Sequence, residues 1–209
     1  METSVQSTTV GVRRVVISGI MVAVTVLLGM LPVGGFIPFP TGVNATTLHI
    51  PAIIGGILEG WQVGGIIGLC FGLFSFLRAS TPLFKDPLVA ILPRIFIGIT
   101  AYLAYKGLQR FEERLAIGVA AGVGTATNTI LVLGIAVWRG YLAPDLAATI
   151  AVTHGLPEIV VAVVITLAVV VAWRQIASRR GGSSVLPRSD FYPPLSFAGE
   201  RYVIDHRHR

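Results

Sequence analysis

Three stretches of the chain are long and apolar enough to cross a lipid bilayer, and they constrain the fold more than any other feature. Residues 115–138 carry no charge, residues 149–173 carry only Glu158, and residues 87–105 carry only Arg94. A crossing takes about 20 apolar residues. Charged residues make up 12% of the 209 residues, whereas a soluble domain carries about 25%. The chain is therefore predicted to be an all-α integral membrane protein.

Three further apolar segments are shorter. The run from Val15 to Leu31 is long for a signal peptide and no small-residue cleavage site closes it cleanly, so it is predicted as a first membrane helix. Residues 61–77 are predicted as another span. Residues 48–58 reach only about 17 Å at ~1.5 Å per residue, roughly half the hydrocarbon core. This segment becomes a full span only if "TGVNATT" joins it or if it lies partly inside the protein.

The distribution of Lys and Arg decides between five and six spans. In a six-span chain with its N-terminus inside, most basic residues near the membrane lie inside, as the positive-inside bias requires. A five-span chain would put the clusters at 106–114 and 174–180 on opposite faces. The inside residues are Arg13, Arg14, Lys106, Arg110, Arg114, Arg174, Arg179 and Arg180, and the outside residues are Arg78, Lys85 and Arg139.

Six transmembrane helices with both termini in the cytoplasm are therefore predicted. The expected divisions are a cytoplasmic N-terminal segment at residues 1–14, a six-helix domain at residues 15–174 and a disordered basic tail at residues 175–209. The tail is rich in Arg, Gly, Ser and Pro and has no apolar period, which is typical of disorder. Its "HRHR" end is predicted to be solvated rather than metal-binding.

The net charge of +6 does not predict a nucleic-acid partner. The basic residues lie mainly in short connectors and in the tail, where they are typical of topology signals rather than of a phosphate-binding face. The single cysteine, Cys70, excludes an internal disulfide and is predicted to be a small core residue.

Glycine recurs at every fourth position from Gly56 to Gly72. On a helix this spacing leaves one face without side chains, so that another helix can approach closely. Because residues 59–62 are predicted to form a turn, the glycines are predicted to pack helices 2 and 3 against each other. Helix 1 carries a second small-residue pair at the same spacing, Gly19 and Ala23, which serves either packing within the chain or docking of a partner subunit.

Ionisable groups inside the apolar spans are the strongest candidates for a functional site. An acid at a helix centre costs roughly 2.5–3.5 kcal/mol, so Glu158 is expected to have a specific role. It lies one turn after His154 on the same helix face, with Pro157 between them loosening the local hydrogen bonding. Arg94 either neutralises Glu158 and holds two helices in register, or lies with it in a binding site.

The predicted substrate site lies in the outer half of the membrane and opens to the outside. Phe74 and Phe76, with Phe36 and Phe39 from the first loop, are predicted to form its apolar walls. The basic residues near the outside favour a solute that bears a carboxylate. The predicted substrate-binding residues are Asn44, His49, Phe74, Arg78, Lys85, Arg94, Asn128, His154 and Glu158.

Enzyme signatures do not occur in the sequence. There is no HExxH, GxSxG, CxxC or Walker A lysine motif, and the glycine-rich "GVGTATNT" lacks the lysine and lies within a predicted helix. The chain is therefore predicted not to be an enzyme, and neither a cofactor nor a metal ion is predicted. Uphill transport would draw its energy from an ion gradient or from another polypeptide.

Three segments resemble one family of membrane proteins. They are "LHIPAIIGGILEGWQVGGIIGLCFGLFSFLRA", "DPLVAILPRIFIG" and "GVGTATNTILVLG", of which the His-Ile-Pro-Ala and the Pro-Arg are the most telling parts. Over about residues 12–175 the chain resembles the substrate-binding S components of energy-coupling factor (ECF) vitamin transporters.

The resemblance implies a six-helix subunit of the cell membrane that binds a vitamin or related micronutrient at the outer face. It implies three further partners, a transmembrane scaffold subunit and two cytoplasmic ATPase subunits, and a toppling motion that releases substrate inside. The family's first helix carries an Ala-x-x-x-Ala type groove for the scaffold, and here Gly19 and Ala23 fill those places. Because pocket residues differ among members, the ligand is predicted from charge alone, as pantothenate or a folate.

Three other functions stay open at the level of sequence. A self-sufficient secondary transporter would use Glu158 and His154 as a proton relay, but the chain is small and shows no inverted repeat. An intramembrane metal-dependent enzyme would use His49, His154 and Glu158, although their spacing matches no metal motif. A purely structural membrane protein would bind no small molecule.

Overall fold

The computed structural model describes residues 2–31, 36–38, 44–79 and 81–180 of the chain. These residues form helices apart from one short ribbon of two antiparallel strands, in which Phe36 pairs with Thr46. The all-α prediction is thus confirmed in outline. In chain order the elements are α1 (Glu2–Met30), β1 (Phe36–Pro38), β2 (Asn44–Thr46), α2 (Ile50–Glu59), α3 (Trp61–Leu77), a 3-10 turn (Pro82–Lys85), α4 (Pro87–Ala90), α5 (Leu92–Leu108), α6 (Glu113–Trp138), α7 (Pro144–Ile150), a π-helical turn (Ala151–Gly155) and α8 (Leu156–Arg180).

Three helical segments of the described residues are long and apolar enough to cross a membrane. They are Pro87–Leu108, Glu113–Trp138 and Pro144–Ile176, and they contain the three long, nearly uncharged stretches of the sequence. The other predicted spans are helical too but shorter, at Arg14–Met30, Ile50–Glu59 and Trp61–Leu77. A membrane protein is therefore supported, whereas the number of crossings and the side of the termini stay predictions.

Helices extend across both predicted divisions of the chain, which stay predictions. α1 begins at Glu2, within the predicted N-terminal segment 1–14, and its apolar part is Arg14–Met30. The predicted tail begins at residue 175, but α8 continues to Arg180. The rest of the tail, including its "HRHR" end, lies outside the described residues.

Helix α2 is only about half as long as a bilayer crossing requires, and it begins beside the centre of α6. Its 10 residues span about 15 Å. The residue before it, His49, contacts Thr125 on α6, and Thr125 lies at the centre of the 26-residue helix Glu113–Trp138. Residues 50–57 are buried, so the segment lies inside the protein. Residues 44–46 form β2 instead of extending the helix. His49 therefore lies beside the centre of α6 rather than beside either end of that helix.

Helix α3 packs on α5 along its glycines, at backbone contact. A methyl group on Gly64 would lie 2.9 Å from the Cα of Gly98, and one on Gly72 would lie 2.8 Å from the Cα of Ile91. Between them, Gly68 lies against the carbonyl of Arg94. The prediction that these glycines pack α3 on α2 is correct for the contact of Gly64 with Gly56, but the main partner is α5. Spacing identifies a smooth helix face and does not identify the neighbour.

The predicted turn between α2 and α3 is a single residue. Gly60 has a φ of 99°, which lies in the left-handed region that glycine adopts at little cost. This turn reverses the chain and brings Gly56 of α2 back beside Gly64 of α3.

An ion pair joins the start of α4 to the end of α6. The Nε of Arg139 donates to Oδ2 of Asp86 at 2.7 Å, and the hydroxyl of Tyr141 donates to the same oxygen at 3.3 Å. The other oxygen of Asp86 caps α4 by accepting from the N–H of Leu88 at 2.9 Å. The hydrogen bond from Arg139 holds the pKa of Asp86 below its ordinary value of 3.8. The pair therefore stays ionised at neutral pH and ties the two helix ends together.

Replacing Gly98 by alanine tests the backbone contact between α3 and α5. Its methyl group would lie 2.5 Å from the Cα of Gly64. Because a backbone atom cannot move aside by a change of rotamer, the free energy of unfolding of the variant should fall by about 2 kcal/mol or more. Gly107→Ala on the same helix is the matched control, since no described atom lies within 4 Å of that methyl group. It should be neutral or gain up to about 1 kcal/mol. Equal thermal unfolding temperatures in detergent for the two variants would contradict this packing.

A buried polar cluster between the helices

The guanidinium of Arg94 lies inside the bundle because Pro93 leaves a carbonyl for it to bind. In a continuous helix the carbonyl of Val89 would accept from the N–H of residue 93, which proline lacks. The Nη1 of Arg94 instead donates to that carbonyl at 2.7 Å. Pro93 thus leaves the carbonyl of Val89 without its helical donor, and Arg94 donates to that carbonyl instead. Arg94 is only 5% exposed.

Two aromatic rings enclose the same guanidinium. The Cζ of Arg94 lies 5.5 Å from the ring centroid of Phe71 on α3 and 5.0 Å from that of Phe84 in the 3-10 turn. Aromatic faces attract cations, and the attraction strengthens away from water. The Nε of Arg94 has no hydrogen-bond partner among the described residues. One donor of a firmly held cation is therefore left for another acceptor.

His49 contributes a buried imidazole that interacts electrostatically with this cation. It is completely buried at the start of α2, and its Nε2 lies 3.0 Å from Oγ1 of Thr125 on α6. It lies close enough to Arg94 for an electrostatic interaction. Its second ring nitrogen, Nδ1, is buried without a hydrogen-bond partner in the part of the chain that the structure describes.

Glu158 completes the cluster from α8. Its side chain is 8% exposed and interacts electrostatically with Arg94. The helix before it is distorted, since residues Ala151–Gly155 form a π-helical turn. Pro157 explains the distortion, because its ring would clash with the carbonyl of Thr153 in a regular helix. Such π turns occur frequently at functional sites.

The structure brings together only part of the predicted site. Arg94 interacts electrostatically with both His49 and Glu158, and these three buried residues are here called the buried polar cluster. Asn128 lies one turn beyond Thr125 on α6, and its Oδ1 is also buried without a partner among the described residues. His154 is half-buried one turn before Glu158, with its Nδ1 3.2 Å from the hydroxyl of Thr153.

The other predicted residues lie elsewhere. Arg78 and Lys85 are exposed, and Arg78 lies over the ring of Phe74, 5.8 Å from its centroid. Phe74 itself packs against Gly29 of α1. Asn44 lies in β2. The side chains of Asn44 and Phe36, and Phe39 altogether, lie outside the described residues.

Four residues of this region were not predicted. Phe71 and Phe84 are the aromatic neighbours of Arg94, and a sequence alone does not tell one phenylalanine of α3 from another. Thr125 lies within the glycine-rich "GVGTATNT" segment, where threonine carries no signal of its own. Asp86 had a readable signal, since Asp followed by Pro is typical of a helix start.

The small-residue pair of α1 faces away from the bundle. Gly19 and Ala23 are exposed, and no described atom lies within 4 Å of a methyl group placed on Gly19. Apolar residues flank the pair on the same face, with Val16, Ile20 and Leu27 each more than half exposed. Packing within the chain, one of the two predicted roles, is therefore not what this pair does in the described structure.

A metal site of the predicted alternative is not formed by the described residues. Within residues 2–31, 36–38, 44–79 and 81–180, no three His, Cys, Asp or Glu side chains approach closely enough to hold a metal ion. The cluster is instead built from one cation, one carboxylate and polar groups that hydrogen-bond.

Comparison with known proteins agrees with the description of the chain as a membrane protein. The family model for the ECF transporter substrate-specific component matches residues 13–170. The pantothenic acid transporter PanT of Lactococcus lactis subsp. cremoris (strain MG1363) is 39% identical over 160 residues, which cover 65% of this chain and 79% of that protein. The pantothenate transporter PanT of Leuconostoc mesenteroides subsp. mesenteroides is 28% identical over 132 residues, covering 56% of this chain and 65% of that protein. Both relatives are transporters, and the chain belongs to the family of substrate-specific components of ECF transporters.

Proposed function

We propose that this chain is the substrate-binding membrane subunit of an ATP-driven ECF-type importer and that its substrate is pantothenate. The observation that carries the proposal is the 39% identity to a pantothenic acid transporter over 79% of that protein's length. A second pantothenate transporter supports the same substrate. Of the two vitamins that charge predicted, pantothenate is therefore preferred to a folate.

The buried cluster suits the chemistry of this vitamin. Pantothenate carries one carboxylate, two hydroxyls and one amide on a short branched chain. Arg94 supplies a positive charge and an unpaired N–H donor, both of which a carboxylate requires. The rings of Phe71 and Phe84 hold that cation in place. Glu158 fixes the guanidinium electrostatically or accepts a hydrogen bond from the ligand.

The remaining predicted residues are proposed to act at increasing distance from the buried polar cluster. Asn128 and His154 lie about one turn from cluster members and contact the ligand's uncharged part. Arg78 and Lys85 are exposed and raise the rate at which an anion approaches rather than its final affinity. Phe74, which packs against Gly29 of α1, and the strand β2, which contains Asn44, are proposed to border the entry of the ligand.

The orientation in the membrane follows from the same proposal. Six crossings with both termini in the cytoplasm put the start of α4 and the ribbon β1–β2 at the outer side of the cell membrane. The ligand then enters from outside and reaches a cluster at mid-depth. A transmembrane scaffold subunit and two ATPase subunits on the cytoplasmic side supply the energy.

Ligand discrimination tests the role of Arg94. Pantothenol, which carries an alcohol in place of the carboxylate, should bind the unaltered protein roughly tenfold to hundredfold more weakly than pantothenate, because it lacks the charge-assisted hydrogen bond. Arg94→Gln should weaken pantothenate binding and bring the two affinities together. The ratio of affinities, measured by calorimetry, does not depend on how much of the variant is folded.

Arg110→Gln is the matched control, since it removes an exposed positive charge at the opposite end of α5. It should keep the discrimination between the two ligands. Full discrimination in Arg94→Gln would remove Arg94 from the site.

The exposed pair on α1 is proposed as the docking face for the scaffold. Gly19→Leu should leave pantothenate binding intact and abolish uptake in cells that express the scaffold and ATPase subunits, because a large side chain blocks close helix approach. Ala23→Leu should behave in the same way. Gly134→Leu on α6 is the matched control, as that glycine is also exposed with no described atom within 4 Å of an added methyl group. Loss of binding in Gly19→Leu, or equal loss of uptake in the control, would contradict the docking role.

A secondary transporter is the competing function, with Glu158 and His154 passing protons. Proteoliposomes that contain only this chain distinguish the two. They should bind pantothenate and show no sustained uptake under a proton or sodium gradient. Accumulation that follows either gradient, and that stops in Glu158→Gln, would replace the proposal by secondary transport.

A further inference from the structure

The imidazole of His49 has a defined direction of hydrogen bonding, which Thr125 imposes. The hydroxyl of Thr125 has one proton, and it donates that proton to the carbonyl of Ala121 at 2.9 Å. Its oxygen can therefore only accept from His49, whose Nε2 lies 3.0 Å away. The proton of the neutral ring is on Nε2, and Nδ1 presents a bare lone pair.

A doubly protonated ring does not fit this place. Nδ1 would then be a second donor, and no acceptor lies within hydrogen-bonding distance of it among the described residues. The ring is completely buried, and the guanidinium of Arg94 is near enough to repel another positive charge. The Nδ1 atom is thus a buried acceptor that lacks a donor.

A buried acceptor without a donor is unfavourable, and native proteins rarely keep one without a reason. Arg94, which interacts electrostatically with His49, keeps a buried donor unused, its Nε. These two side chains thus offer one unpaired acceptor and one unpaired donor among the described residues. This arrangement fits a ligand that brings both an anionic acceptor and a neutral donor.

We propose that His49 is a specificity-determining residue whose Nδ1 accepts a hydrogen bond from a neutral O–H or N–H group of the ligand. The substrate class is therefore a carboxylate that also carries such a donor, and a carboxylate without one is rejected. The inference rests on the proposed function, because pantothenate offers three such donors, its two hydroxyls and its amide. Thr125 is the positioning residue, since it fixes which nitrogen carries the proton.

Two substitutions of His49 separate its two nitrogens. In His49→Gln the terminal amide can replace Nε2–H as the donor to Thr125, but no acceptor remains at the place of Nδ1. In His49→Asn the side-chain oxygen lies near the place of Nδ1, whereas the bond to Thr125 is lost. Both variants lack the imidazole ring. The difference between their affinities therefore measures the effect of an acceptor at the place of Nδ1.

The experiment measures binding of pantothenate and of three analogues that each lack one donor: the 2-deoxy, the 4-deoxy and the N-methyl amide compounds. In the unaltered protein, one analogue should bind roughly tenfold to hundredfold more weakly than pantothenate, because it leaves the lone pair of Nδ1 unpaired. In His49→Gln the ratio of the affinity for pantothenate to the affinity for that analogue should fall to near one. In His49→Asn most of this preference for pantothenate should remain. Each ratio is taken within one variant, so partial misfolding does not alter it.

Nitrogen-15 NMR of labelled histidine gives a readout that a merely structural role would not move. The His49 signals are those missing from His49→Gln. They should show an unprotonated Nδ1 in the free protein and a shift of that nitrogen toward a hydrogen-bonded value when pantothenate binds. In Thr125→Val both tautomers should appear, and the discrimination between pantothenate and the critical analogue should weaken.

The failures are distinguishable. If the unaltered protein binds no pantothenate, the proposed function is wrong and the inference is overturned with it. If it binds pantothenate but no analogue shows a ratio that His49→Gln abolishes, or if Nδ1 is protonated in the free protein, the inference alone is overturned.

Discussion

The burial of the Arg94 guanidinium is the constraint on which the rest of the structure depends. A cation in an apolar bundle must have partners on every side. Here Pro93 frees the carbonyl of Val89 for it, two phenylalanine rings enclose it, and Glu158 provides the opposing charge. The glycine face of α3 matters for the same reason, because Gly68 lets the helices meet at the backbone of Arg94.

The half-length helix α2 connects this constraint to function. Because α2 begins at mid-depth, its first turn brings a polar imidazole to Thr125 and Arg94 instead of to a membrane surface. The short helix therefore places His49 against side chains of the long helices α5 and α6.

The sequence predicts the long helices well and the site in part. A run without charge, such as residues 115–138, allows few folds other than a membrane helix, whereas the start of α2 depends on contacts with α6 that no local pattern reveals. His49, Arg94 and Glu158 are predictable because ionisable groups are rare in apolar spans. Phe71, Phe84 and Thr125 are not, since phenylalanine and threonine are common there and only the three-dimensional neighbours single them out.

The central claim is that the buried polar cluster is the place where the vitamin binds. An experimental structure of the protein saturated with pantothenate tests it most directly. The account predicts the ligand beside Arg94 and His49, with its polar atoms within hydrogen-bonding distance of Nε and Nδ1. Pantothenate bound only near the exposed Arg78 and Lys85, with the cluster unchanged, would contradict it.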